Sequence, residues 1–505
     1  RSGCDPKGAQ RTAYGRHPRH LRSRVRSAHE RSRSEARPLP PLHHRQPQAA
    51  ARGRGLHRDR APLLQPHRLP RLAVALPCPR PYRAVARPRP LLRSRDPAGP
   101  AARRARALAT GRAERLRRRE EAVNAVRAWA GRAVLLVALS ALVGVFGASA
   151  DSWYEGRDFH CFYISGRIVA TGGDPYDAAQ FVPAIAEVGP TLAKANERCG
   201  VRLSYPPWTA LALAPFGALS LEAASSAWIA LSVLAMALGI GWTWQIVGTR
   251  RVSWLIVAVL AILTEPFLLN MAEGQFASFT FALTAGAMLG LRRDRVAGGI
   301  ATAALSIKPQ VAIGFAAAAL VLAVLQRRWR FLGAAAASGL ALLAVTQLLR
   351  PGWTGEFVKG TVELSGAIEN RATIWNLMSP YGSWPAAVAV IVLLVGAVVL
   401  LVRRRPIDDV GALSLANALS LVIAPYSWSQ AFIVLTIPWS LTFAYATEAD
   451  ALRRRVLTYG TLFVAGPLLW ICTLLWPFRG SESLSVVVPM LTSLLMALAI
   501  RWRSA

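Results

Sequence analysis

Long stretches of this 505-residue chain lack charge altogether. Residues 133–150, 223–249, 274–291, 331–349, 384–402, 410–447 and 456–478 contain no Asp, Glu, Lys or Arg. Each is at least 18 residues long, enough for a helix to cross about 30 Å of hydrocarbon. That excludes a soluble multidomain protein, which length alone would suggest. The expected fold is an all-α polytopic membrane protein. Motifs are missing too. There is no HExxH, CxxC, P-loop or GxGxxG pattern, which removes the common zinc, dithiol and nucleotide sites. Nor is there length left for a soluble domain that binds nucleotide sugars.

The first quarter of the chain has its own set of absences. Residues 1–120 contain no Trp, Phe, Ile, Met or Asn, and seven of the eight His lie there. They hold 32 of the 60 Lys and Arg but 7 of the 27 Asp and Glu, a net +25 out of the chain's +33. With so few large apolar groups, this segment cannot offset the entropy of ordering, and disorder is expected. A basic tail for nucleic acid or anionic lipid, or a targeting segment, is one reading. The preferred reading is an over-long upstream start or a wrong frame in a GC-rich genome. Arg, Pro, Ala and Gly have GC-rich codons, the first Met is Met236, and a start near Val123 fits. The large positive charge therefore implies no nucleic-acid partner.

What charge the remainder has is a topology code. Arg clusters mark cytoplasmic loops. They fall at Arg250–Arg251, Arg292–Arg295, Arg327–Arg330, Arg403–Arg405, Arg453–Arg455 and Arg501–Arg503, with Arg127 and Arg132 ahead of the first span. Threading the apolar runs between them predicts about 12 crossings with both ends inside. Residues 206–221 are too short and are broken by Pro215, so they read as a juxtamembrane or re-entrant helix. Residues 296–326 and 410–447 read as hairpins, and 227–247, 252–272, 274–291, 331–349, 384–402, 456–476 and 484–500 as single spans. The domain reading is 1–120 plus a transmembrane domain at 121–505, with outer loops 151–205 and 350–383 forming one active face. On that face fall DFHCFY (158–163), GGDPYD (172–177), SYPPW (204–208), EGQ (273–275), KPQ (308–310), NLMSPYG (376–382) and APYSW (424–428).

Few residues there can carry chemistry. Asp158 follows the first span by eight residues, amid Phe159, His160, Phe162 and Tyr163. A carboxylate in apolar surroundings is a good general base toward a hydroxyl; a solvated loop acid is its bland alternative. Lys308 is the only cation between residues 296 and 326 and suits a phosphate; snorkelling to outer headgroups is its bland alternative. Arg157, Arg167 and Arg371 are the other outer cations for an anionic ligand. Glu265, ahead of Pro266, lines a cavity or caps a kink. All 16 Trp follow residue 121 and read mainly as interfacial anchors; Trp208, Trp375 and Trp428 sit in outer motifs where a sugar can stack. Cys161 and Cys199 share the outer segment, where a disulfide and two thiols both stay open.

With these motifs in this order, the chain resembles the integral membrane glycosyltransferases of the GT-C superfamily, and most of all glycosyltransferase family 87. The resemblance covers roughly residues 125–500. It rests on DFHCFYISGRIVATGGDPYD after the first span, SYPPW opening the next apolar helix, EGQ, KPQ and APYSW. It implies a GT-C-like bundle with outer-face juxtamembrane helices. It also implies transfer of a hexose, mannose first, from a polyprenyl phosphate to a lipid or cell-envelope glycan, on the periplasmic side of a bacterial plasma membrane. The implied step is an inverting displacement. Asp158 would act as base and Lys308 would stabilise the leaving phosphate. Tyr205, Gln275 and Trp428 would shape the pocket beside Arg157, His160 and Tyr163. No cofactor and no metal ligand are expected; the outer acids permit a divalent metal without requiring one. Two departures stand out: Gln430 where many relatives carry His, and EGQ where NGQ is commoner.

A lipid or glycolipid transporter is the alternative class, and it would require internal repeats with broken helices at matching positions. An inactive structural relative is the third reading. Mass spectrometry of the native protein is expected to return no peptides from residues 1–120; finding them would refute the upstream-start reading.

Overall fold

The computed structural model describes residues 157–188, 199–248, 252–367, 371–403, 409–479 and 481–503. Residues 1–120 and the expected first span at 133–150 lie outside them. Among the described residues every regular element is helical. Hydrocarbon offers backbone groups no water to bond, and a helix satisfies them within one segment.

Three short helices come first: α1 (Asp158–Ala170), α2 (Ala178–Val188) and α3 (Pro207–Gly217). At 11 residues, α3 is about 16 Å long, too short to span, in line with the juxtamembrane reading. Pro207 sits at its start, where a missing N–H costs nothing. Ser220 caps the next helix, α4 (Leu221–Val247), which is long and apolar enough to cross. The span expected at 252–272 is broken into α5 (Trp254–Ile262) and α6 (Glu265–Glu273), bent by 57°. Pro266 in the first turn of α6 explains the break, since it cannot donate back into α5.

Then follow α7 (Ala277–Arg292), α8 (Val296–Ala304) and α9 (Pro309–Leu325). A 3-10 turn, Leu305–Ile307, leads to Lys308 between α8 and α9. The stretch expected to be a hairpin at 296–326 is thus two short apolar helices on either side of Lys308. Next come α10 (Trp329–Leu349), α11 (Trp353–Ala367), α12 (Ile374–Met378) and α13 (Ser383–Arg403). The segment expected to be a polar outer loop thus contains two helices. The second expected hairpin is α14 (Asp409–Ile423), a 3-10 turn at Ser429–Leu435, and α15 (Thr436–Ala446). The chain ends with α16 (Ala451–Phe463), a π turn at Val464–Leu468 around Pro467, α17 (Leu469–Arg479) and α18 (Val487–Arg503).

Among the described residues, five helices are long and apolar enough to cross, or six with the bent pair. The expectation was about 12. Three of the expected strokes are shorter apolar helices, Val296–Ile307, Pro309–Leu325 and Asp409–Ile423. Only 6% of the apolar window of α13 is buried, against 50% for the last span, so α13 is the least enclosed of the candidate spans.

The main core joins α4, α7, α9, α14, α15 and α18 around Phe281, Phe315, Phe432 and Trp439. A second, aromatic core holds Phe159, Phe162, Tyr163, Trp228 and Phe276, and a third joins α1 and α2 to Trp353. Chain direction shows which end of the bundle matters. Gln275 precedes α7 and Arg292 ends it; α8 starts after Arg295 and ends before Lys308; α9 leads back to Arg327. Gln275 and Lys308 are therefore at one end, about 24 Å of helix from the Arg clusters.

Two pairs of glycines permit the closest crossings. Gly166 meets Gly217 where α1 crosses α3, and Gly290 meets Gly298 between α7 and α8. A Cβ on Gly217 would overlap backbone atoms of Gly166 and Arg167, which cannot move aside as a side chain would. Gly217→Ala is expected to destabilise the protein by about 1–3 kcal/mol, read as a lowered Tm in detergent. An unchanged Tm would show that the crossing relaxes freely.

Candidate active site

The site is built at the start of α1. Asp158 is the first residue of that helix and Arg157 its N-cap, so the carboxylate lies where the helix dipole favours negative charge. The following residues anchor it. Phe162 lies 4.7 Å from Phe276, and Phe159 lies 5.2 Å from Trp228, between ring centroids. Tyr205 joins the same cluster, 5.2 Å from Phe276 and 5.1 Å from Phe162. One aromatic floor thus locks together four segments distant in sequence.

Each residue of EGQ makes a different bond to that assembly. Glu273 Oε1 accepts from Arg157 Nη1 at 2.9 Å. Gly274 is left-handed, with φ 66°, a conformation that favours glycine. Its carbonyl accepts from Trp228 Nε1 at 2.7 Å. Gln275 Nε2 donates to Asp158 Oδ2. Gln275 Oε1 accepts from Lys308 Nζ at 3.1 Å and from the Tyr205 hydroxyl at 3.3 Å. The amide has one sensible orientation here: its oxygen meets two donors and its nitrogen meets a carboxylate. Arg157–Glu273 and Asp158–Gln275 form parallel clamps between the start of α1 and the end of α6.

Burial sets the protonation of the phenols. Burial pushes the Tyr205 hydroxyl well above its ordinary range; the charges of Asp158 and Tyr426 add to this and the Gln275 bond opposes it. Burial likewise pushes Tyr426 up to about 12, with Arg371 opposing. Both phenols therefore stay protonated at neutral pH. The segment carrying Tyr426 is held from three sides. Ala372 N donates to Ser427 O at 2.8 Å and Arg371 Nη1 to Pro425 O at 3.0 Å. Ser429 N donates to Glu482 Oε2 at 3.0 Å, and Ser429 Oγ to Glu265 Oε1 at 2.8 Å. Glu482 is raised above the usual carboxylate range by burial first, while its bonds to Ser429 pull the other way.

Of the residues expected from sequence, Asp158, Tyr205, Gln275 and Lys308 form one bonded cluster, with Arg157 beside it. Trp428 belongs to the adjoining segment, its ring 6.1 Å from Tyr426. His160 is buried in α1. Tyr163 turns away into the aromatic core, and its hydroxyl donates to Leu219 O at 2.9 Å. Lys308 lies at the expected turn but is 2% exposed and faces inward. Tyr426 and Glu273 were not singled out, although each lies inside a motif that was. Glu482 and Trp228 carried no sequence signal, being an isolated acid and one Trp among 16. Among the described residues, no group of three or more His, Cys, Asp or Glu is arranged to hold a metal ion.

Cys161 and Cys199 form a disulfide. It ties α1, three residues past Asp158, to the segment that leads to Tyr205. Closing a loop with a sequence separation of 38 is worth about 4 kcal/mol on the chain-entropy account. Cys161→Ser with Cys199→Ser is expected to lower Tm, and reductant is expected to lower the parent's to match. A parent indifferent to reductant would contradict a stabilising bridge.

Comparison with known proteins adds one match. Residues 203–425 match the family model of glycosyltransferase family 87, in keeping with a GT-C superfamily placement. The matched stretch includes Tyr205, Gln275, Lys308 and the start of the APYSW segment, and begins after Asp158. No curated protein matches the chain.

Proposed function

We propose that this membrane-embedded glycosyltransferase of family 87 moves a hexose, mannose first, from a polyprenyl phosphate to a lipid or cell-envelope glycan. The observation that carries the reading is the cluster at the start of α1. A carboxylate is held there at a helix N-terminus by Gln275, with Lys308 and Tyr205 converging on the same amide. Such a group, oriented and partly enclosed, suits a general base. The cluster lies at the end of α7, α8 and α9 opposite Arg292, Arg295 and Arg327. By the positive-inside rule that is the outer, periplasmic side of a bacterial plasma membrane. A donor carried on a membrane lipid reaches that side without a nucleotide-binding domain.

In the proposed step the acceptor hydroxyl gives its proton to Asp158. Its oxygen bonds to the anomeric carbon from the face opposite the leaving group. The bond from that carbon to the phosphate oxygen breaks, and the electron pair leaves with polyprenyl phosphate. The anomeric configuration inverts, and Asp158 later returns its proton to water. The leaving phosphate needs positive charge. Arg157 and Arg371, both partly exposed, stand at the edge of the cluster for that purpose. Trp428 offers the sugar an aromatic face.

The test is transfer from polyprenyl phosphate mannose to envelope lipids by the purified full-length chain. Asp158→Asn is expected to lower kcat by about a hundredfold or more, the size of a general-base contribution. Undiminished transfer would remove Asp158 as the base. Movement of labelled lipid across the bilayer without transfer would favour a transporter.

A further inference from the structure

Lys308 is among the most fully buried large side chains of the protein, at 2% exposure. An ammonium withdrawn from water is costly unless it is paired. Among the described residues its hydrogen-bond partner is Gln275 Oε1, at 3.1 Å. Through that one amide it lies within electrostatic reach of the Asp158 carboxylate. Gln275 stands between the two, accepting from the ammonium through one end of its amide and donating to the carboxylate through the other. Donation to Oε1 draws electron density from the amide and makes its N–H a stronger donor.

The surroundings allow Lys308 little movement. Its N–H donates to Leu305 O at 3.2 Å, and its carbonyl accepts from Val311 N at 3.3 Å. Pro309 sets the first turn of α9 immediately after it. A phosphate arriving at the membrane surface therefore meets no Lys308 ammonium unless this packed turn opens. The side chain is placed to serve Asp158.

We propose that Lys308 and Gln275 are positioning residues that hold Asp158 ionised and aimed, and that Lys308 is its buried counter-ion and not the phosphate ligand of the donor. This rests on the reading of Asp158 as the base. Among the described residues, the charged or titratable groups near Asp158 include Arg157 at the cap of its helix, His160 within it, Tyr205 ahead of α3, Glu273 across the Arg157 pair, and Tyr426 beyond Tyr205. Of the helices packed on α1, α3 has no ionisable side chain, while Glu187 of α2 and Glu222 of α4 are exposed.

The experiment compares full pH–rate profiles, with kcat and donor KM separated, for the full-length parent and Lys308→Met using polyprenyl phosphate mannose. Removing the positive charge disfavours the carboxylate, so the acidic limb is expected to move up by about one pH unit. The kcat is expected to fall about tenfold or more while donor KM stays within about twofold, because the lost interaction acts on the base. Lys308→Gln, which keeps a donor for Gln275 and removes the charge, is expected to show the same shift and guards against misfolding of the Met variant. Thermal unfolding of each confirms the fold. A raised donor KM with an unmoved acidic limb would overturn the proposal in favour of a phosphate ligand, as would parent-like kinetics. Asp158→Asn run alongside separates the two readings. If it is inactive, an unmoved limb counts against Lys308 alone; if it is active, both readings fall.

Discussion

The amide of Gln275 is the constraint on which the site depends. It joins α1, the segment before α3, the end of α6 and the turn between α8 and α9, through bonds to Asp158, Tyr205 and Lys308. Without it an ammonium and a carboxylate would both be left at the protein's interior edge without their common partner. Hydrogen bonds to charged groups are worth about 1.5–3 kcal/mol each, and an orphaned buried charge costs more than that. The same contacts that order the site therefore penalise its partial assembly.

That amide is held by its neighbours on both sides. Gly274 takes a left-handed turn and gives its carbonyl to Trp228, and Glu273 pairs with Arg157. Below them the aromatic floor of Phe159, Phe162, Trp228 and Phe276 excludes water and fixes the start of α1. The disulfide adds a covalent tie between the two segments that deliver Asp158 and Tyr205. In the proposed reaction the base has to be held rigidly, because small misplacements at a reacting centre cost large factors in rate.

The break between α5 and α6 links this centre to the rest of the bundle. Pro266 starts α6 at an angle of 57° to α5, which brings Glu265 to Ser429 and Glu273 to Arg157 at the two ends of one short helix. Ser429 is held by Glu482 as well, so the segment bearing Tyr426 and Trp428 is placed by carboxylates from two distant parts of the chain.

Hydropathy alone determined the helical, membrane-embedded class and the short α3. Uncharged runs of spanning length require helices, because hydrocarbon leaves backbone groups no other partners. Lys308 was conspicuous as a lone cation in apolar text and Asp158 as an acid among aromatics, whereas Tyr205 and Gln275 came from the resemblance to family 87. Only tertiary structure decided what these residues do to one another. Lys308 reads in sequence as a cation at an outer turn, yet packing encloses it behind Gln275. Tyr163 reads as a neighbour of Asp158, yet the 3.6-residue helical repeat turns its ring into the core. Cys161 and Cys199 became a pair, and Tyr426, Glu273 and Glu482 became parts of the site, through contacts between residues far apart in the chain. Such contacts depend on how helices cross, which close-packed glycines and aromatic rings settle and local periodicity does not.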